Sequence, residues 1–158
     1  MKNHLISKKD LIKIDKIPRP LVFLSMAVDL LHHGHIRILN KASKYGSVVV
    51  GLMTDKALVA YKGKPFLNFT ERKEIISALK NIKYIIPINS LDNIVDASEL
   101  FKPEFFVHGT DWKKGKQGVL RKKMIKKVKS WKGKVIEIPY TKNISSSNIR
   151  NYFYKLFE

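Results

Sequence analysis

The sequence predicts an α/β fold built on a five-stranded, doubly wound parallel sheet of order 3-2-1-4-5. Two observations carry that prediction. Short, nearly continuous apolar runs alternate five times with segments of helical periodicity, and strands apolar on both faces belong to parallel sheets covered on both sides. Right-handed crossovers then leave few arrangements, and for five strands 3-2-1-4-5 is the first choice.

The elements follow in order. Leu21–Met26 comes after Pro18 and Pro20 and reads as a buried strand. Ile36, Leu39, Ala42 and Ser43 recur at helical spacing, and Gly46 stops that helix. Ser47–Met53 is the second strand. Asn68, with Glu71 three residues on, resembles a capping box opening a helix that runs to Lys80. Tyr84–Ile88 is the third strand. Leu91–Phe101 is a helix, apolar at 91, 94, 95, 97 and 100, and Pro103 blocks its continuation. Glu104–His108 is the fourth strand. Apolar residues at 120, 124, 125, 128 and 131 mark one side of a basic helix over 116–131. Lys134–Ile138 is the fifth strand, and Ser147–Leu156 is a helix. Residues 1–20 read as an N-terminal extension to a single domain over 21–158, the default for a chain of 158 residues.

Composition narrows the function. Apolar residues make up 44%, enough for a core, and there is no cysteine, which excludes disulfides, thiolate metal sites and cysteine catalysis. No apolar run approaches the roughly 20 residues that span a bilayer, and Met1–Lys16 is charged throughout, unlike a signal peptide. A cytoplasmic protein with no membrane partner is the expectation. Lys and Arg number 31 against 13 Asp and Glu, for a net charge of +18. Such a balance suits a nucleic-acid binder or an enzyme for polyanionic small molecules. Eleven basic residues and no acid fall between Lys113 and Lys134. Their spacing is that of the solvated face of an amphipathic helix, and the chain has no nucleic-acid-binding motif, which argues against that partner.

In a doubly wound sheet ligands bind beyond the carboxyl ends of the strands at the switch point, here between strands 1 and 4. The loop after strand 1 carries Asp29, His32, His33, Gly34 and His35. The loop after strand 4 carries His108, Gly109, Thr110, Asp111 and Trp112. His32 and His35 are three apart, so both rings aim the same way at the first turn of a helix. Gly34 lets a ligand approach the backbone. The helix N-terminus favours a phosphate, and two imidazole donors suit the charge of a phosphoryl transition state. A metal pair or two core histidines are the competing readings of the same residues.

These residues carry a family resemblance. Asp29-x-x-His32-x-Gly34-His35 resembles the HxGH signature of the cytidylyltransferase-like nucleotidyltransferases. Val48–Asp55 is similar to that family's second strand with its terminal Thr-Asp. Lys62-Gly63 and Thr70-Glu71-Arg72 resemble its lysine and its Glu-Arg helix. His108-Gly109-Thr110-Asp111-Trp112 resembles its Gly-Asp-Asp-Trp loop, and Ile144-Ser145-Ser146-Ser147 its final Ile-Ser-Thr-Thr segment. Within the family, Met26–His32, Thr54–Ala57, Val107–Lys113 and Pro139–Thr141 look most like the phosphonate cytidylyltransferases and the cytidylyltransferase domain fused to phosphoenolpyruvate mutase. The glycerol-3-phosphate enzymes have Gly-Thr-Phe-Asp where this chain has Met26-Ala27-Val28-Asp29, and Arg-Thr-x-Gly where it has Tyr140-Thr141-Lys142-Asn143. The missing arginine argues against glycerol 3-phosphate. Asn143 in place of Gly is mild, because Asn tolerates positive φ.

The resemblance implies a Rossmann-like CTP-dependent nucleotidyltransferase over 21–158. It would transfer CMP to a small anionic acceptor, a phosphonate such as 2-aminoethylphosphonate or a phosphate monoester, and release pyrophosphate. Phosphocholine or glycerol-3-phosphate cytidylyl transfer and an adenylyltransferase of the same superfamily are the enzymic alternatives; a nucleic-acid-binding module is the alternative of another class. His32, His35 and Lys62 would be catalytic. Ala27, Val28, Asp29 and Gly34 would bind the nucleotide from the first loop, with Asp29 orienting that loop or the metal site, and Arg72 would hold the triphosphate or the second substrate. His108, Gly109 and Asp111 would bind it from the fourth strand, and Tyr140, Thr141, Ile144, Ser145, Ser146 and Ser147 from the last segment. Trp112 would meet the acceptor. Read without the family, Lys62 is a solvated lysine, Arg72 a surface ion pair with Glu71 or Glu74, Trp112 a core residue and the serines helix caps. Mg²⁺ would be held mainly by the triphosphate with no dedicated protein ligands, and the family implies a homodimer.

Overall fold

The computed structural model describes residues 6–157. Five strands, β1 (Leu21–Met26), β2 (Ser47–Met53), β3 (Ile82–Ile88), β4 (Phe105–Gly109) and β5 (Lys134–Ile138), form one sheet in the order β3-β2-β1-β4-β5. Every pairing is parallel. The sequence predicts this order, and the switch point falls between β1 and β4. Side chains alternate along each strand, so the sheet separates two cores. Phe23, Val49, Ile86 and Phe106 face one way and Val22, Leu24, Val48, Val50 and Val107 the other. On the first side α5 (Leu91–Phe101) and α6 (Gly115–Ser130) cover the sheet; Phe101 meets Phe23 edge-on with ring centroids 5.1 Å apart. On the second side lie α2 (His33–Ala42) and α4 (Phe69–Ser77), which contribute Leu39, Ala42 and Ile76.

Several boundaries differ from the sequence reading. A short helix, α3 (Asp55–Tyr61), was not expected; Thr54 caps it by accepting from the Ala57 amide. The helix opened by Asn68 stops at Ser77 rather than Lys80. Turn bonds from Leu79 N to Ile76 O and from Ile82 N to Leu79 O lead directly into β3, which starts two residues early. β4 is displaced by one residue toward Gly109, and a 3₁₀ turn over Thr110–Lys113 joins it to α6. The last helix, α7 (Ser146–Leu156), begins one residue earlier than expected, with Ser145 as its N-cap.

The segment read as an extension packs onto the domain. α1 (Lys8–Asp15) is closed by a Ser7–Asp10 capping box. Ile14 is fully buried in the core under α5, and the Tyr84 hydroxyl of β3 donates to Asp10 over 2.7 Å. Residues 1–5 of that segment lie outside the described residues. On α6 the expected amphipathic division holds: Leu120, Met124 and Val128 are buried, while Lys123 and Lys127 reach across to Asp92 and Glu99 of α5. Among the described residues no helix is long and apolar enough to cross a membrane.

Candidate active site

A cavity of about 540 Å³ opens at the carboxyl ends of β1 and β4. Its walls come from the β1–α2 loop, the end of α3, the end of β4 and the segment 138–147 with the first turns of α7. The switch point predicted from topology and the polar residues predicted from motifs therefore coincide.

The histidines are positioned by local backbone chemistry. His32 is the N-cap of α2, with extended φ −144° and ψ 169°. Its Nδ1 accepts from the Gly34 amide over 3.1 Å, and His35 Nδ1 accepts from the His32 amide over 3.2 Å. The pair is a capping box made of two imidazoles, each taking one of the amides a helix N-terminus leaves free. This bonding sets the tautomer: with Nδ1 accepting, each neutral ring carries its hydrogen on Nε2. The ring centroids are 3.8 Å apart. Burial, then His32 and Lys62, push the His35 pKa down to about 3. Burial, then His33, lowers that of His32. Both rings are thus neutral donors at physiological pH. Gly34 is required for space, since a methyl group there would lie 2.9 Å from Cε1 and Nδ1 of His32.

Lys62 follows α3 and lines the cavity, its Nζ 5.3 Å from the centroid of the Tyr61 ring. Gly63 turns the chain at φ +105°, a region glycine enters freely, with open space around it. Opposite, His108 lies flat on Trp112, the rings 4.2 Å apart and 4° from parallel. Ser145 caps α7 by accepting from Asn148 N, and Ser146 Oγ both donates to Leu30 O and accepts from Leu30 N. These bonds fix α7's N-terminus, with Ser145, Ser146 and Ser147 on the cavity wall, against the first loop. The Tyr140 amide donates to Thr110 Oγ1 over 3.1 Å, and the Tyr140 hydroxyl donates to Ile144 O. Asn143 has φ +62°, the conformation its side chain tolerates. Ala27, Gly109, Thr141 and Ile144 also reach the cavity.

The model of the family described as cytidylyltransferase-like matches residues 28–152. The chain belongs to this family. Among its curated relatives is the bifunctional protein HldE of Geobacter metallireducens, 34% identical over 134 residues, covering 83% of this chain and 26% of the relative. HldE of Syntrophotalea carbinolica is 29% identical and covers 90% of the chain and 29% of the relative. The chain thus spans about a quarter of the length of the curated relatives it matches. Of solved structures, a lipopolysaccharide core biosynthesis protein from Thermoplasma volcanium superposes with TM-score 0.65 at 22% identity, over 77% of this chain and 97% of that one. A pantoate-beta-alanine ligase from Francisella tularensis superposes with TM-score 0.62 at 18% identity, over 95% and 77%. Both likenesses concern the fold.

Three family-implied residues lie away from the cavity, and each is a correction. Trp112 is fully buried; it backs His108 and donates Nε1–H to Glu137 over 2.7 Å, so it supports the wall and does not meet an acceptor. Arg121, and then Trp112, hold the Glu137 pKa at about 2. Arg72 is also fully buried, and its guanidinium is spent on protein: Leu67 O, Ala27 O, Met53 O and the Asp55 carboxylate. It pins the ends of β1 and β2 and has no free edge for a triphosphate. Its ion partner is Asp55, not Glu71 or Glu74. Val28 is buried in the core, at φ +48°, a strained value for a β-branched residue.

Asp29 reaches the cavity, but its carboxylate holds protein. Oδ1 accepts from the amides of Phe66 and Leu67 over 2.6 and 3.1 Å, and Oδ2 pairs with Arg150. Arg150 is the principal residue that sequence reasoning missed. It lies on α7 four residues beyond Ser146, lines the cavity, and leaves its buried Nε unpartnered among the described residues. Its signal was the single basic residue one turn inside the serine-capped helix. Arg37, Lys41 and Lys142 also border the cavity and make it positive. The described residues contain no group of three or more His, Asp or Glu placed to hold a metal. Two carboxylates border the cavity: Asp29 is committed to backbone amides and Arg150, so Asp111 alone offers an open anionic donor to a divalent ion.

Proposed function

We propose that this chain transfers CMP from CTP to a phosphonate, 2-aminoethylphosphonate or a close analogue, or to a small phosphate monoester. One observation carries the reading: two neutral imidazole donors, Lys62 and a serine-lined helix N-terminus face a single cavity. An acceptor oxygen attacks the α-phosphorus, a new P–O bond forms, the bond to the β-phosphate oxygen breaks, and pyrophosphate leaves. The fold offers donors where negative charge gathers and no covalent nucleophile is needed. His32 and His35 donate Nε2–H to the α-phosphate oxygens as the phosphorus becomes pentacoordinate. Lys62 adds charge from a hinged loop, and the α7 N-terminus with its serines holds phosphate oxygens. Mg²⁺, brought in on the triphosphate, would supply charge neutralisation for the leaving pyrophosphate. Of the segments that resemble phosphonate enzymes, Met26–His32, Val107–Lys113 and Pro139–Thr141 contribute residues to this cavity while Thr54–Ala57 does not, and Tyr140 stands where the glycerol-3-phosphate enzymes have arginine.

A second reading, adenylyl transfer from ATP to a sugar phosphate, is favoured by the likeness to the HldE proteins. Pyrophosphate release decides between them, measured with CTP, ATP, GTP and UTP against 2-aminoethylphosphonate, phosphocholine, glycerol 3-phosphate and a hexose 1-phosphate. Turnover with CTP and the phosphonate is expected; turnover confined to ATP and the sugar phosphate replaces the first reading with the second.

A further inference from the structure

Two carboxylates border the cavity, and they differ in what holds them. Asp29 is filled by two amides and Arg150. Asp111 is 44% exposed and accepts no hydrogen bond among the described residues; its nearest basic nitrogen, His108 Nδ1, is 3.7 Å away. Burial lowers the His108 pKa against the opposing pull of the Gly109 carbonyl and Asp111, so this neighbour is a neutral ring. A free carboxylate in a cavity otherwise lined by Lys and Arg repels phosphate and attracts a cation.

Two aromatic rings stand beside it. A methyl group at Gly109 would lie 2.6 Å from Asp111 Oδ1 and 3.6 Å from Tyr140 Cδ2, so carboxylate and ring edge converge on one point. Tyr61 lines the same cavity, and burial followed by the charge of Asp111 raises the pKa of both phenols. The Tyr140 hydroxyl is taken by Ile144 O, which leaves the ring itself for contact. Lys62 supplies the third observation: its ammonium rests over Tyr61, so this face already receives a cation. Lys62 precedes the open Gly63 turn, and its departure toward a triphosphate would free that face.

We infer that Asp111, Tyr61 and Tyr140 form a subsite for an ammonium group on the acceptor. The acceptor class is a zwitterion, with a phosphorus oxyanion at the histidines and an ammonium between Asp111 and the tyrosine faces, and Lys62 covers the Tyr61 face until the nucleotide draws it away. Thr110, which fixes the Tyr140 amide, positions one wall of the subsite. The inference rests on the proposed nucleotidyl transfer but is tested apart from it, by equilibrium binding.

The experiment is calorimetric titration of the full chain, loaded with a non-hydrolysable CTP analogue and Mg²⁺, with 2-aminoethylphosphonate and with n-propylphosphonate, which has the same length and no charge on its tail. The amino compound is expected to bind about tenfold more tightly, the scale of a desolvated cation held by a carboxylate and aromatic faces. Asp111→Asn is expected to erase the preference and Tyr61→Leu to reduce it. Equal affinity in the native chain, binding of neither compound, or a preference that survives Asp111→Asn overturns the inference. So does an equal loss for both compounds that appears only with Mg²⁺, which would assign Asp111 to the metal. Turnover of n-propylphosphonate alongside equal affinities would leave nucleotidyl transfer standing and remove the ammonium subsite alone.

Discussion

The two halves of the site are built by different means. The histidine pair is local: four consecutive residues, His32 to His35, supply the cap, the tautomers and the space. The surrounding frame is non-local. Arg72 joins backbone at Ala27, Met53 and Leu67 to Asp55, and Asp29 joins the loop after Lys62 to Arg150, 121 positions away. Local construction puts donors on the cavity wall; long-range construction holds the loops that carry them. A change in the first should remove chemistry and spare the fold, and a change in the second should do the reverse.

The largest effect is expected at the histidines. His35→Ala should lower turnover by about 10²- to 10³-fold, the loss seen when one preorganised donor is removed, while the thermal midpoint changes little. Gly34→Ala should share the phenotype by displacing His32, checked by kinetics beside circular dichroism. The frame should behave in the opposite sense. Arg72→Met should cost roughly 3 kcal/mol in urea denaturation by stranding buried carbonyls and Asp55. Arg72→Lys should not restore it, because an ammonium cannot reproduce the fork. If Arg72→Met instead raises the KM for nucleotide in a chain of normal stability, the division between halves fails. Trp112→Phe should cost about 1–2 kcal/mol through the lost bond to Glu137. Its ratio of affinities for different acceptors should stay unchanged.

The smallest effect joins the halves through pH. His35 has a folded pKa of about 3, below its ordinary 6.5. Between those values the unfolded chain binds the extra proton, so the ring's contribution to stability is complete above 6.5 and is lost as pH falls toward about 3. Thermal midpoints measured down to about pH 4 should fall less steeply in His35→Gln than in the native chain.

The same division explains how much the sequence shows. Strand order and the place of the site were legible because apolar periodicity and crossover handedness act along the chain. HxGH was legible because its spacing is a cap. The burial of Arg72 was not legible, because a buried arginine and a solvent-facing one are the same letter, and only the tertiary fold shows Ala27, Met53 and Leu67 converging on one guanidinium; for Trp112 the core reading, not the family-implied one, is what the structure shows. α3 escaped because seven residues leave little periodicity to read, although Thr54 was its cap. Arg150 escaped because its partner Asp29 is far off in sequence. The basic run on α6 proved to be the solvated face its spacing suggests, in part paired with α5.

The central claim is that α2's cap presents two neutral Nε2–H donors to the substrate. Nitrogen-15 NMR of histidine-labelled protein, titrated between about pH 5 and 8 where ordinary histidines change charge, tests it most directly. His35 should show a bare Nδ1 and a protonated Nε2 throughout, with no titration in that range. A His35 that gains a second proton near its ordinary pKa, or carries its hydrogen on Nδ1, would contradict the account.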